Sequence, residues 1–325
     1  MLSIRADAQY QWDYGLKLGA ANYLGDIGGK DLPRRDFVWD MHLGQTRYAV
    51  GAYGRYKFSK RLAINVNFDH IAIQDADRFT TYAPRRARNL NFRNRMFEFG
   101  ARAEFTLWYD NDVGNRGFYN PDYKLYAFGG VAGYYSNPQA RLVYDGFGEP
   151  IDGLNVGDFV DDTWYNLRDY RTEGVAYSNI GLGIPLGIGM YFTFNKQWRV
   201  GWEVCWRMTF NDYLDDVSSV YTEPDPINPD DMDLAYDLQS QSYVALVNEV
   251  NKDLPAGQGA MSINDFRYQN PPSSPSIRGY NTNNDNYITT QITVGKVIRG
   301  RSKFYKSKYS WVKNRSMVRR SKAKF

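Results

Sequence analysis

The sequence predicts an all-β protein: an eight-stranded antiparallel up-and-down transmembrane β-barrel with long extracellular loops and a basic periplasmic C-terminal tail. Three observations predict it. Eight segments alternate apolar and polar residues with the period of two that sends successive side chains to opposite faces of a strand. Each is near or above the 9–11 residues that cross a bilayer at a tilt. The connections alternate short and long, as in bacterial outer-membrane barrels, whose short turns are periplasmic and whose long loops lie outside.

The elements follow in order. Trp12, Tyr14, Leu16, Leu18 and Ala20 oppose Asp13, Lys17 and Gly19, and the alternation stops at "NYLGDIGG". Over 47–58, Tyr48, Val50, Ala52, Tyr56 and Phe58 oppose Arg47, Tyr53, Arg55 and Lys57. Over 62–69, Leu62, Ile64, Val66 and Phe68 oppose Ala63, Asn65, Asn67 and Asp69. Over 95–108, Phe97, Phe99, Phe105 and Leu107 oppose Glu98, Arg102 and Glu104. Segment 123–135 is strand-like with weaker alternation. Over 179–194 every even position from Ile180 to Phe194 is apolar, facing Gly181, Gly183, Gly187 and Gly189. Over 198–211, Val200, Trp202, Val204, Trp206 and Met208 oppose Glu203 and Arg207, and over 286–297 Ile288, Ile292 and Val294 oppose Thr289, Gln291 and Thr293.

Short connections fall at Ser59-Lys60 and Asn195-Lys196, with a modest turn near 110–120; the long ones span about 25–46, 75–90, 136–175 and 212–285. An even strand number puts both termini on the periplasmic side. The barrel is expected over 9–298, and Ala6-Asp7-Ala8 before Gln9 marks 1–8 as the expected end of a signal peptide.

Composition agrees. Mean hydropathy is −0.59 and no run of about 18 apolar residues exists, which excludes a spanning helix. Aromatic content is 16%, with 27 Tyr and 8 Trp, which suits amphipathic rings at two membrane–water boundaries. The single cysteine, Cys205, excludes an internal disulfide, and two histidines leave little for imidazole chemistry. A soluble cup would carry the same alternation with its faces reversed. Aromatics at the strand ends (Trp12, Phe58, Phe194, Trp202), charges of both signs on the polar faces, and long loops at one end favour the membrane barrel.

Eight strands enclose a lumen just wide enough for side chains to fill. Lys17, Arg55, Glu98, Arg102, Glu104, Glu203 and Arg207 are therefore expected to point inward and pair, with the glycines of 179–194 making room for bulkier neighbours. A porin is not expected.

Motifs for chemistry are weak. "GLGIPLGIG" at 181–189 has Leu186 where the third glycine of a dinucleotide-binding turn belongs, and the strand reading explains every residue. His42 and His70 stand in no recognisable nucleophile–base pattern, so neither enzyme activity nor a cofactor is expected. Segment 212–285 holds thirteen Asp/Glu against three Lys/Arg; "NDYLDDV" and "DPINPDDMD" could offer oxygen ligands to Ca²⁺, though a solvated acidic loop is the simpler expectation. A short surface helix is expected within 230–250, after Pro229 and capped by Asp230.

The tail 299–325 holds eleven Lys/Arg and no acid, which leaves 29 Lys/Arg and 36 Asp/Glu, a formal −7, in the rest of a chain whose net charge is +4. Leaving a barrel strand into the periplasm, such a tail meets no nucleic acid. It rests on anionic lipid or docks a protein, and interleaved aromatics favour docking. The expected docking residues are Arg299, Arg301, Lys303, Phe304, Tyr305, Lys306, Lys308, Tyr309, Trp311, Lys313, Arg315, Arg319 and Arg320.

"GAANYLGDIGG" at 19–29 resembles the first-strand signature of PorG-type barrels of the type IX secretion system in Bacteroidota, through Gly19, Asn22, Tyr23, Gly25, Asp26, Ile27 and Gly28. In the stretch itself, Gly25 and Gly28 permit positive φ and Asp26 can accept backbone N–H groups, which makes a rim turn. The resemblance implies a non-enzymatic outer-membrane protein. Its implied partners are the periplasmic ring of protein secretion and gliding (PorK and PorN, or GldK and GldN) and outer-membrane lipid. The long loops and the 27-residue tail depart from the family pattern and leave open a surface-binding, adhesin-like role.

Overall fold

The computed structural model describes residues 12–29, 41–59, 61–110, 122–144, 154–194, 197–254, 259–268, 276–282 and 284–298. In chain order the strands are β1 (Trp12–Leu24), β2 (Arg47–Lys57), β3 (Leu62–Ala76), β4 (Asn91–Asp110), β5 (Asp122–Tyr135), β6 (Pro138–Ala140), β7 (Tyr165–Asn166), β8 (Ile180–Phe194), β9 (Trp198–Thr209) and β10 (Asn286–Ile298). The short β6 and β7 extend one side of the sheet above β4. The eight long strands pair antiparallel with their neighbours. β1 also pairs with β10, from Trp12 opposite Ile298 to Leu24 opposite Asn286. The ring of eight long strands thus closes without a free edge, which a β structure in hydrocarbon requires, because lipid offers no partner for an open row of N–H and C=O groups.

The alternation decides which face is inside. Leu16, Leu18, Phe99 and Ile188 are 68%, 65%, 61% and 54% exposed, whereas Lys17, Glu98 and Arg207 are no more than 2% exposed. A soluble protein could not carry so continuous an apolar outer band. The chain is a membrane-spanning barrel of the outer-membrane type, apolar face to lipid and charged face to the lumen. Trp12, Trp108, Trp198 and Trp202 are exposed on the outside, and the Trp202 indole donates to Thr290 Oγ1 at 2.8 Å.

Several boundaries move. β3 runs to Ala76 rather than 69 and β4 begins at Asn91 rather than 95, because these strands keep pairing beyond the band, up to Ala76 opposite Asn91. β1 continues to Leu24, since Asn22 and Tyr23 still have partners on β10. The expected helix of 230–250 is two helices, α3 (Met232–Gln239) and α4 (Val244–Lys252), and the Asn228 side chain, not Asp230, accepts the capping N–H. They are not merely surface elements. Leu238 packs with Ala140 and Leu167, the latter on helix α2 (Leu167–Tyr170). Val247 and Val250 pack with Tyr221, Phe266 and Ala87 of helix α1 (Ala83–Arg88). The long loops therefore carry small cores of their own at one end of the barrel.

Candidate functional site

Inside the barrel, five cations (Lys17, Arg55, Arg102, Arg199 and Arg207) meet five carboxylates (Asp13, Asp69, Glu98, Glu104 and Glu203), all nearly fully buried. The strand period places them. Each occupies the inward parity of its strand, at staggered heights set by the register of its neighbours. Arg55 Nε lies 2.6 Å from Glu104 and its Nη1 3.3 Å from Asp13. Arg102 Nη2 donates to Glu203 at 2.5 Å. Arg207 Nε donates to Glu98 at 2.6 Å and its Nη1 to Thr289 at 2.5 Å. Lys17 Nζ donates to Asp69 at 2.7 Å, and Arg199 pairs with Asp13. Hydroxyls and amides add further partners: Tyr287 donates to Glu98 at 2.6 Å, Asn65 to Glu104 at 2.7 Å, and Tyr126 to Glu203.

The structure thus brings together Lys17, Arg55, Glu98, Arg102, Glu104, Glu203 and Arg207. The lumen network also includes Asp13, Asp69 and Arg199, which the sequence reading left out of the network although all three have inward parity. Within this network cations and carboxylates are equal in number, as burial demands, since an unpaired ion in such a place costs several kcal/mol; Lys57, also buried, stands at the short-turn end against the Tyr191 ring. Glycines of β8 face the large rings of β5. A Cβ on Gly187 would stand 2.5 Å from Phe128, and one on Gly189 2.6 Å from Tyr126. At the short-turn end a shallow dent of about 10 Å³, room for about one water molecule, opens between Lys57, Lys124, Glu104 and Tyr191.

The signature stretch does not form an exposed rim turn; it is built into a buried cap over the lumen. Asn22, Tyr23, Asp26, Ile27 and Gly28 are buried, and Gly19 faces the backbone of β10 too closely for a side chain. Tyr23 Oη donates to Asp285 at 2.5 Å and accepts from Asp26 N at 3.2 Å. Asp26 accepts from Tyr280 N at 2.7 Å, and Ile27 N donates to Asp215 at 3.0 Å. Gly28 has φ +79°, which only glycine adopts without strain. Gly25 does not have positive φ as expected; it is required because a Cβ there would collide with Tyr23 Oη and Asp285.

Two arginines clamp this cap. Arg88 holds Asp77 through Nε at 2.7 Å and Nη2 at 2.9 Å, and donates to the carbonyls of Asp26 (2.8 Å) and Arg278. Arg278 holds Glu173 at 2.9 Å and the Asp216 carbonyl at 2.5 Å. The acidic loop is solvated only in part: Glu223, Asp225, Asp230, Asp233, Glu249 and Asp253 are exposed, whereas Asp215 and Asp285 are buried acceptors that tie the fourth loop to Ile27 and Tyr23, and buried Asp216 ties it to Thr172 and Tyr177 of the third loop. Burial, with Asp26 beside it, pushes the Asp215 carboxyl up to about 7. Burial also raises Asp216 to about 6 against the pull of Arg278, and raises Asp285 well, with Asp215 its strongest acidic neighbour. Nothing in the sequence periodicity marks Arg88, Arg278 or Asp77 as partners, because their loops meet only in three dimensions.

Among the described residues no group of three or more His, Cys, Asp or Glu is arranged to hold a metal ion. His70 stacks on Phe97 at 4.7 Å on the outer face, and His42 Nδ1 lies 3.3 Å from Asp75. The expected docking residues from Arg299 to Arg320, the 1–8 segment, and the turns at 110–120 and 195–196 lie outside the described residues, Asp110 excepted.

Residues 1–143 match a family described as "Domain of unknown function (DUF6089)". No curated protein matches the chain. Among solved structures, the chain is similar to neisserial surface protein A (NspA; 7% identity, 88% of this chain and 97% of that one, TM-score 0.32). It is also similar to OprG from Pseudomonas aeruginosa (9%, 90% and 100%, TM-score 0.35). A third likeness is Ail, the attachment invasion locus protein of Yersinia pestis (7%, 88% and 98%, TM-score 0.31). At such scores the eight-strand architecture rests on this chain's own hydrogen-bonded ladder.

Proposed function

We propose that this chain is a non-enzymatic outer-membrane barrel that anchors or scaffolds the periplasmic ring of a type IX protein secretion and gliding machine. The observation that carries the reading is the filled lumen. A barrel whose interior is occupied by a charge-balanced, hydrogen-bonded network offers no broad path for solutes, so its work lies at its two ends. The resemblance of residues 19–29 to PorG-type barrels supplies the partner: ring proteins of the PorK/PorN or GldK/GldN type, met by the basic, aromatic tail. The test is co-purification in mild detergent followed by mass spectrometry, with the full chain and with 301–325 deleted. Ring proteins retained by the full chain and lost on deletion support the reading. Ring proteins absent from both overturn it, and equal retention moves the contact to the short turns.

A second reading, a surface-binding adhesin-like barrel, is favoured by one observation. The third and fourth loops have their own apolar cores while leaving Ile227, Val244 and Ile277 exposed at 59%, 47% and 63%. A loop-side ligand captured by cells displaying the protein, and lost when these three are made polar, would select it.

A further inference from the structure

One set of charges belongs neither to the lumen nor to the cap. On the outward face of β3 and β4 the apolar band ends at the His70–Phe97 rung, and the next outward rungs are Ala72–Arg95 and Gln74–Arg93. Above them an alternating ladder of arginines and rings runs across the outer surface. The guanidinium of Arg93 sits 3.7 Å from the centre of the Trp164 ring, and Arg141 shares that ring at 5.0 Å. Arg141 also sits 4.5 Å from the Phe159 ring, which Arg78 shares at 5.0 Å. Arg95 projects outward and exposed beside Arg93. Among the described residues the acid ion-paired to this group is Asp162, 3.1 Å from Arg141 and fully in solvent.

Four guanidinium groups with one solvated carboxylate repel one another: Arg141 acts on Arg78 and Arg93, and Arg95 acts on Arg93. Buried Arg55, Arg88, Arg102, Arg199, Arg207 and Arg278 each meet an acid, so the imbalance here points to an anion from outside. The rings hold Arg78, Arg93 and Arg141 from their faces; Arg93 Nε donates to Gln139 at 2.9 Å and Arg141 Nη1 to Asp162, and the other N–H groups of these arginines and of the exposed Arg95 point to an anion. That presentation suits bidentate recognition of phosphate. The height selects the source. These residues begin one rung beyond the last large apolar pair, the level at which hydrocarbon gives way to headgroups.

We propose that Arg78, Arg93 and Arg141, set by Trp164 and Phe159, together with exposed Arg95 bind the phosphate groups of a lipid headgroup in the leaflet at the long-loop end. The inference rests on the membrane orientation above and not on the secretion partner.

The experiment reconstitutes the full chain in phosphatidylcholine nanodiscs with and without a bisphosphorylated glycolipid, diphosphoryl lipid A. Native mass spectrometry then counts the glycolipid molecules that remain bound after release into detergent. Wild type is expected to retain the glycolipid, and the Arg93→Gln/Arg95→Gln double variant to bind it about ten-fold more weakly or worse, as two interfacial arginines should. Arg47→Gln, an exposed arginine at the same end on β2, is the control and should change binding little. Equal losses in the control and the double variant, or none in either, overturn the proposal. So does equal protection by inorganic phosphate in detergent, which would make the site one for a free anion. Heat-modifiable gel mobility is read on every sample: a chain that never inserts refutes the membrane reading itself, whereas one that inserts and retains no glycolipid refutes only this site.

Discussion

Replacing Arg207 with methionine tests the lumen network at its most connected point. The side chain is almost fully buried. It donates to Glu98 at 2.6 Å and Thr289 at 2.5 Å, and lies 3.8 Å from Asp69. Methionine keeps most of the volume and removes the charge. Asp69 is left with Lys17 at 2.7 Å and Asn67 at 2.6 Å, so it stays compensated. Glu98 is left with the Tyr287 hydroxyl at 2.6 Å and, among the described residues, no cation within ion-pair distance. The cost should therefore be that of one buried carboxylate losing its counter-ion, about 3–5 kcal/mol. Adding Glu98→Gln removes the stranded charge while keeping an oxygen for Tyr287, and should restore about 2 kcal/mol. The assay is urea unfolding from phosphatidylcholine vesicles, followed by tryptophan fluorescence and by heat-modifiable mobility. An Arg207→Met cost below about 1 kcal/mol, or a double variant as unstable as the sum of the two single ones, would refute the argument that pairing holds this lumen together.

Three further outcomes follow from the same geometry. Gly187→Ala would place a methyl 2.2 Å from the Val204 carbonyl oxygen, and should lower stability by about 1–3 kcal/mol in thermal gel-shift assays, whereas Gly54→Ala, with nothing within 4 Å, should stay within about 0.5 kcal/mol of wild type. The cap should weaken as pH rises: the folded Asp215 carboxyl titrates near 7 instead of its ordinary 3.8, because burial and Asp26 raise it while Tyr23, the Val217 amide and Arg88 oppose, so the closed cap binds the extra proton and is most stable at low pH, losing on the order of a few kcal/mol by pH 8. Amide exchange at Ile27 and Val217, corrected for the intrinsic rate, reads this, and Asp215→Asn should flatten the pH dependence; an unchanged slope would contradict it. Planar-bilayer recording of the wild type should show no steady large conductance, and open-channel currents would contradict a filled lumen.

What the sequence determined by itself is whatever depends on a period of two. Alternation from Trp12 to Ile298 fixed eight strands, and the inward parity of Lys17, Glu98, Arg102, Glu203 and Arg207 placed these residues in the lumen, because a strand has only two faces and lipid accepts only one kind. The glycines of β8 were legible for the same reason, as the partners of large rings on the next strand. Contact between segments far apart in the chain needed the folded barrel. Which acid each lumen cation meets depends on the register of eight strands around a closed circle, and that is how Asp13, Asp69 and Arg199 enter the network. The cap is further from reach: Tyr23 meets Asp285 and Arg88 meets the Arg278 carbonyl across most of the chain's length, with no periodic pattern to announce it. Acids that the composition of the fourth loop assigned to solvent, such as Asp215 and Asp216, are instead the buried acceptors that close the barrel, since loop backbones crossing a lumen need partners for their N–H groups where no water reaches them.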